Sequence, residues 1–354
     1  MTRRKRLRPA AMPTPREIYE HLDRYVVGQA RAKRAVAIAA HSHLKRCAAR
    51  QRGETLLRKS NLLLAGPTGC GKTHIARHLA GFLELPFVVV DATEYTEAGY
   101  YGKDVEVMVA ELLLSASHNI EQTQRGIIFV DEVDKLARRS HGARTGAGSR
   151  DIGGEGVQQS LLKLLEGREV FVPMNVTQHW NKHDFVQIDT RDILFICAGT
   201  FSDLALYSST RRAIGFGGEH DGGCRARRIT HKDLLDYGLI SELLGRLPRV
   251  VELHELDADD LLKILTQPPD SLLREYTELL EQDDVELRVT QGALREMARY
   301  AVDRRVGARG LRAIVEEVCE ELLFEAPELG GRRVSLGVQT VRERLRRLDD
   351  VELG

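Results

Sequence analysis

Asn61-Leu-Leu-Leu-Ala-Gly-Pro-Thr-Gly-Cys-Gly-Lys-Thr73 is the stretch from which the rest of the chain can be read. Leu62 to Ala65 is a short apolar run of the kind that forms a strand buried on both faces. It leads straight into Gly66-x-x-x-x-Gly71-Lys72-Thr73, and the residues that follow predict a helix. Strand, glycine-rich loop and helix in this order make a phosphate-binding loop. Gly66, Gly69 and Gly71 let the backbone curl so that successive N–H groups face one phosphate oxygen, while Pro67, Thr68 and Cys70 fill the intervening positions. The helix offers its N-terminus to the same anion. Lys72 is expected to reach the β- and γ-phosphates and the Thr73 hydroxyl to hold Mg²⁺, so ATP and Mg²⁺ are the expected cofactors.

A second motif lies about sixty residues on. Gly126-Ile-Ile-Phe-Val-Asp131-Glu132 is a buried-strand pattern ending in two carboxylates. Open parallel sheets collect their ligands at the C-terminal ends of their strands, which is where Asp131 would stand. Asp131 is expected to hold Mg²⁺ through water, and Glu132 to polarise the attacking water. Pro86–Asp91 and Ile193–Ala198 read as further strands, the latter followed by Gly199-Thr200. Strands alternating with helical patterns over the first two thirds predict an α/β fold with a parallel sheet flanked by helices.

The chain has 354 residues, enough for two domains. Its 52 Lys and Arg balance 52 Asp and Glu, so net charge gives no argument for nucleic acid. The exception is the start, MTRRKRLRPA, which reads as a solvated basic tail and lacks the apolar stretch of a signal peptide. No apolar run approaches membrane-spanning length. The five cysteines are scattered, with no C-x-x-C pair, which argues against a zinc module or a disulfide framework and for a reducing cytoplasm. The expected division is a tail at 1–13, a large ATPase domain at 14–249 and a small, mainly α-helical domain at 250–354.

Thr14, Pro15 and Glu17 form a helix-start signature. Tyr25-Val-Val-Gly28-Gln29 is a short turn before a helical pattern over about 30–50. Residues 105–124 predict a helix, and Leu239–Pro248 a short one carrying Arg246. The stretches 139–156, 174–187 and 208–228 read as polar or glycine-rich loops. In the second of these, His179 and His183 have no carboxylate or cysteine cluster to complete a metal site. Beyond 252, helical patterns cover 257–281, 290–304 and 307–326, with a small strand pair near 285–289 and 333–336.

Several stretches together resemble the ClpX family of AAA+ unfoldases over nearly the whole chain, from Pro15 to Pro327. They are NLLLAGPTGCGKT, TEAGYYGKDVE, GIIFVDEVDK, SRDIGGEGVQQSLLKLLEG, QIDTRDILFICAG, IGFG, GLISELLGRLP and GARGLR. The related HslU family carries a large insertion for which this chain has no room.

The resemblance implies a homo-hexameric ring that feeds polypeptide substrates to a ClpP-type peptidase. It implies that Val26 and Val27 lie against the adenine. Gly99-Tyr100-Tyr101-Gly102 matches a pore loop whose aromatic grips polypeptide, with Tyr101 in place of the family's valine. Arg150-Asp151 matches a second pore loop. Asn181-Lys182-His183 stands where the family has Arg-Lys-His at the channel entrance, so one charge is lost. Arg246 matches an arginine finger, and Arg309 of Gly307-Ala-Arg-Gly-Leu matches sensor 2. Thr200 lies near the sensor-1 position. Ile214-Gly215-Phe216 matches the loop that docks on the peptidase. Motion about a hinge near 248–252 would carry Tyr100 and Tyr101 along the pore. The family's four-cysteine zinc domain is missing, either because the chain has been trimmed or because it is a natural variant; MTRRKRLRPAAMPTP does not look like an engineered tag.

Two rival readings use the same ATPase core. One is a stand-alone remodeller without a peptidase, against which the Ile-Gly-Phe loop argues. The other is a nucleic-acid motor, suggested only by basic loops at 138–150 and 211–228.

Overall fold

The computed structural model describes residues 12–54, 59–96, 103–137, 154–174, 185–202, 204 and 228–352. They group into two compact units. The first draws on the chain up to His21, Arg31–Ala65 and Ala76–Glu252; the second on Leu22–Ala30, Gly66–Ile75 and the chain from Leu253 onward.

The chain opens with α1 (Pro15–Tyr25) and α2 (Ala30–Gln51). Thr14 and Glu17 form a reciprocal cap at the start of α1: each backbone N–H is taken by the other's side chain, at 2.7 and 3.2 Å. Then come β1 (Leu62–Ala65), α3 (Lys72–Leu83), β2 (Phe87–Asp91), α4 (Val107–Ser115), α5 (Ile120–Thr123) and β3 (Ile127–Asp131). After α6 (Gly154–Glu166) follow β4 (Glu169–Pro173), β5 (Phe185–Asp189), β6 (Leu194–Gly199), α7 (His231–Tyr237), α8 (Ser241–Arg246) and β7 (Arg249–Glu252). The remainder is α9 (Ala258–Thr266), α10 (Leu272–Glu281), β8 (Glu286–Val289), α11 (Gln291–Asp303), α12 (Gly307–Glu325), β9 (Arg333–Leu336) and α13 (Val338–Glu352).

In the first unit five strands form one parallel sheet in the order β2-β3-β6-β1-β7. Leu62–Leu64, Ile127–Val130 and all of β6 are buried, as strands covered on both faces must be. The register pairs Ala65 with Gly199 and Asp91 with Asp131, so these C-terminal residues lie along one edge of the sheet. The chain leaves β1 for the β2 side and leaves β6 for β7 on the other side of β1. That topological switch places the crevice beyond the C-terminal ends of β1 and β6.

The opposite end of this unit is held by a polar network under α2. Arg46 Nε donates to Asp192 (3.2 Å), Arg50 donates to Asp192 (2.8 Å) and to Asp189, and His43 Nε2 meets the Arg125 carbonyl (2.9 Å). Burial and the Arg46 charge push the His43 imidazole down to about 4. Lys59 sits with its ammonium 4.5 Å over the Phe195 ring, donating to the Thr190 and Leu164 carbonyls, and burial holds its pKa well below the usual lysine range.

The second unit is mainly helical. Leu261, Leu265, Leu280, Ala293, Met297, Leu311 and Val318 are among its core residues, and β8 and β9 form a two-stranded parallel pair.

Three sequence expectations need correction. The helix expected over 257–281 is two, because Pro268 and Pro269 remove backbone donors between α9 and α10. The helix expected over 105–124 breaks at Ser117 and His118, both with positive φ (50° and 62°). The loop expected over 174–187 is too long, since β4 and β5 pair antiparallel from Glu169↔Asp189 to Pro173↔Phe185. Phe171 and Phe185 are 65% and 57% exposed on that ribbon, so no clean apolar–polar alternation marked it.

Cys47, Cys70, Cys197 and Cys319 are free and buried; burial lifts the thiols of Cys47 and Cys319 to about 11 and that of Cys197 to about 12. Cys224 lies outside the described residues. Among the described residues no helix is long and apolar enough to cross a membrane.

Candidate nucleotide site

The phosphate-binding loop belongs to the second unit. Gly69 and Gly71 have φ of +76° and +100°, the left-handed backbone that glycine adopts without steric cost. Gly66 is required for a different reason: a Cβ there would stand 2.8 Å from the Leu253 carbonyl oxygen and 2.9 Å from Leu253 Cβ. Lys72 is buried, and its ammonium donates to the Gly66 and Pro67 carbonyls at 2.7 and 2.9 Å. Thr73 stands half-buried at the second position of α3. Pro67, Thr68 and Cys70 span the loop between these groups, with Cys70 2% exposed.

Two other segments of the same unit close on the loop. Val26 is buried and Val27 half-buried in the turn after α1. From the other side, the Ala308 N–H donates to the Gly69 carbonyl at 3.2 Å. Gly69 and Gly307 approach so closely that a Cβ on either would meet backbone of the other's segment at 3.2 Å. Arg309 is exposed, one residue beyond this contact in the first turn of α12. The unit therefore gathers the 26–27 turn, the phosphate loop and Arg309.

The first unit carries the carboxylates. Asp131 closes β3, half-buried, and its Oδ1 accepts the Glu132 N–H at 3.0 Å. Glu132 has φ of +58°, an uphill conformation for a residue with a Cβ, and Lys135 pairs with its carboxylate at 2.5 Å. That pairing raises the Lys135 pKa. Asp134, 8% exposed, accepts from the Thr200 hydroxyl at 2.7 Å and the Phe201 N–H at 3.2 Å. A Cβ on Gly199 would collide with Asp134 Oδ1 at 2.7 Å. Asp134 thus ties the end of β6 to the turn after β3. Sequence reasoning missed it, although a third carboxylate in Asp131-Glu-Val-Asp134 was the available signal.

Arg246 is elsewhere in this unit. Its carbonyl accepts from buried Asn61 at 3.2 Å, immediately before β1, so it stands at the N-terminal edge of the sheet. Its guanidinium donates twice to Glu166 Oε1, at 3.1 and 2.7 Å. Glu166 was not singled out in the sequence.

Tyr100, Tyr101, Arg150, Lys182, His183, Ile214, Gly215 and Phe216 lie outside the described residues. The flanks of the first pair are described: Thr96 N–H donates to the Lys103 carbonyl (3.1 Å) and Lys103 N–H to the Glu94 carbonyl (3.2 Å), clamping the two ends of the 97–102 segment.

Residues 57–250 match the family model described as AAA domain (Cdc48 subfamily), and residues 256–352 match that of the C-terminal, D2-small domain of ClpB protein. Two curated relatives span most of the chain. The ATP-dependent Clp protease ATP-binding subunit ClpX 2 of Wolinella succinogenes is 44% identical over 316 residues, covering 89% of this chain and 78% of that protein. The chain belongs to the ClpX family. The ATP-dependent Clp protease ATP-binding subunit ClpX of Treponema denticola is 40% identical over 336 residues, covering 92% of this chain and 80% of that protein. The chain is accordingly a nucleotide-binding AAA+ ATPase of the ATP-dependent unfoldase type, as the ClpX resemblance in the sequence implied.

Proposed function

We propose that this unfoldase works as a homo-hexameric ring that hydrolyses ATP at the junctions between subunits and threads polypeptide into a ClpP-type peptidase. The carrying observation is the position of Arg246. It stands at the N-terminal edge of the sheet, whereas the phosphate loop continues the C-terminal end of β1. The two ends are separated by the length of that strand, about 13 Å at ~3.3 Å per residue. An arginine so placed would serve a neighbour's nucleotide rather than its own subunit's, which favours a ring of subunits.

Within a subunit, Gly66–Thr73 would hold the phosphates, with Lys72 turning from the loop carbonyls to the β- and γ-oxygens. Thr73 and Asp131 would hold Mg²⁺, which neutralises charge on the phosphates when bound. Glu132 would orient and deprotonate the attacking water once released from Lys135. Arg309 would approach the γ-phosphate from the turn of α12 that touches Gly69. Val26 and Val27 would face the adenine. Tyr100 and Tyr101 would grip the chain in the channel, with Arg150, Lys182 and His183 along its path, and Ile214–Phe216 would seat on the peptidase.

The test is ATP-dependent degradation of a tagged, folded fluorescent protein with ClpP from the same source, by the wild type and by Phe216→Ala. The expected result is degradation by the wild type, and loss of degradation with ATP hydrolysis retained in the variant. Loss of fluorescence without degradation by the wild type would replace the peptidase reading with a stand-alone remodeller. ATP hydrolysis with neither outcome would overturn the polypeptide reading.

A further inference from the structure

Gln29 is 8% exposed and takes no part in the nucleotide chemistry above. It follows Gly28 in the turn after α1, and both residues have positive φ, +65° and +50°. A side chain with a Cβ is kept in that conformation only where the surroundings fix it.

Its amide serves three backbone groups. Nε2 donates to the His254 carbonyl at 2.7 Å and to the Cys70 carbonyl at 3.3 Å, and Oε1 accepts the His254 N–H at 3.0 Å. Only a carboxamide offers a donor and an acceptor side by side to match a residue's own N–H and C=O. The three partners lie in segments that the sequence separates by 41 and 225 positions.

The bond to Cys70 has a geometric consequence. The Cys70 carbonyl and the Gly71 N–H belong to one planar trans peptide and point in opposite directions. Fixing the carbonyl therefore fixes the direction of the Gly71 N–H, which is among the donors a phosphate loop aims at its anion. The same loop meets the His254 segment a second time, through the Gly66–Leu253 contact. Leu253 and His254 are the first two residues after β7.

We propose that Gln29 is a positioning residue that sets the Gly71 amide toward the phosphate and reports a rotation of the Cys70–Gly71 peptide to the segment leaving β7. The second half of this proposal rests on the unfoldase reading.

Gln29→Met removes both polar functions at similar length, and Gln29→Glu keeps the acceptor for His254 N–H while turning a donor into an acceptor against two carbonyls. ATP hydrolysis, binding of a fluorescent nucleotide and ATP consumed per substrate molecule unfolded are measured on the full chain. The expected result for both variants is KM and nucleotide Kd raised about fivefold, the size of one neutral hydrogen bond, with kcat within about twofold. ATP consumed per unfolded molecule should rise by a similar factor.

Unchanged KM and Kd in folded variants would overturn the positioning role. A raised KM with unchanged ATP per unfolded molecule would overturn the report to His254. Melting of both variants below assay temperature would assign Gln29 to the fold alone and overturn both. A wild type that hydrolyses ATP but unfolds nothing refutes the unfoldase reading and the report to His254 with it, while the KM and Kd comparison still decides the positioning role.

Discussion

Glu132 stores strain where the proposed chemistry needs it. A left-handed φ of +58° costs this residue on the order of 1 kcal/mol or more, and the carboxylate is held by Lys135. Glu132→Gln is expected to bind ATP normally and to hydrolyse it about 100-fold more slowly or worse, checked by nucleotide binding beside steady-state hydrolysis. His43 supports a different prediction. Its Nε2–H donates to the Arg125 carbonyl, leaving Nδ1 to accept from Arg46. The folded imidazole titrates near 4 and the unfolded one near 6.5, so above 6.5 both are neutral and the residue adds no pH dependence. As pH falls from 6.5 to 4 the unfolded chain gains a proton that the folded chain refuses, and stability drops by a few kcal/mol, on the order of 1.4 per unit. Denaturant unfolding at a series of pH values should show a shallower loss across that window in His43→Gln than in the wild type.

At the scale of elements, α2 is fastened to the turn between β5 and β6 by buried charge. Arg46 and Asp192 have side chains only 5% and 9% exposed. Removing one partner leaves the other charged and dry, so Asp192→Ala is expected to cost about 3 kcal/mol or more, read as a lower denaturation midpoint with an unchanged slope. The glycine contact between the phosphate loop and α12 makes a second prediction. Gly307→Ala places a Cβ at a φ of +59° and 3.2 Å from Thr68 O and Gly69 Cα, so it should weaken nucleotide binding without altering Glu132. Isothermal titration would show the change in affinity. These elements also show what the sequence could tell. The parallel sheet was legible because Leu62–Ala65 and Gly126–Asp131 declare buried strands locally, and the phosphate loop because its residue types and spacing are the requirement itself. The contacts that arrange the site were not. Thr200–Asp134, Glu166–Arg246 and Gln29–His254 join residues 66, 80 and 225 apart, and no local pattern encodes such a pair. The β4–β5 ribbon was illegible for the opposite reason, since Phe171 and Phe185 face solvent where a strand rule expects polar residues.

For the whole molecule, the proposed role of Arg246 would make the active unit larger than one chain. Arg246→Ala should bind ATP and lose hydrolysis by about 1,000-fold or more. Mixed with Glu132→Gln subunits it should recover hydrolysis that neither variant has alone, because some junctions then pair an intact Glu132 with a neighbour's intact Arg246. Mixing without recovery would mean that the arginine acts within its own subunit. The buried thiols carry a practical consequence of another kind. Cys47 and Cys197 lie in one compact unit and Cys319 in the other, all shielded and held far from thiolate at neutral pH. An alkylating reagent can reach them only when the unit around them opens. The chain therefore carries its own unfolding clocks, one set in each unit, and pulse alkylation followed by peptide mass analysis would time the opening of the two units separately within a working ring.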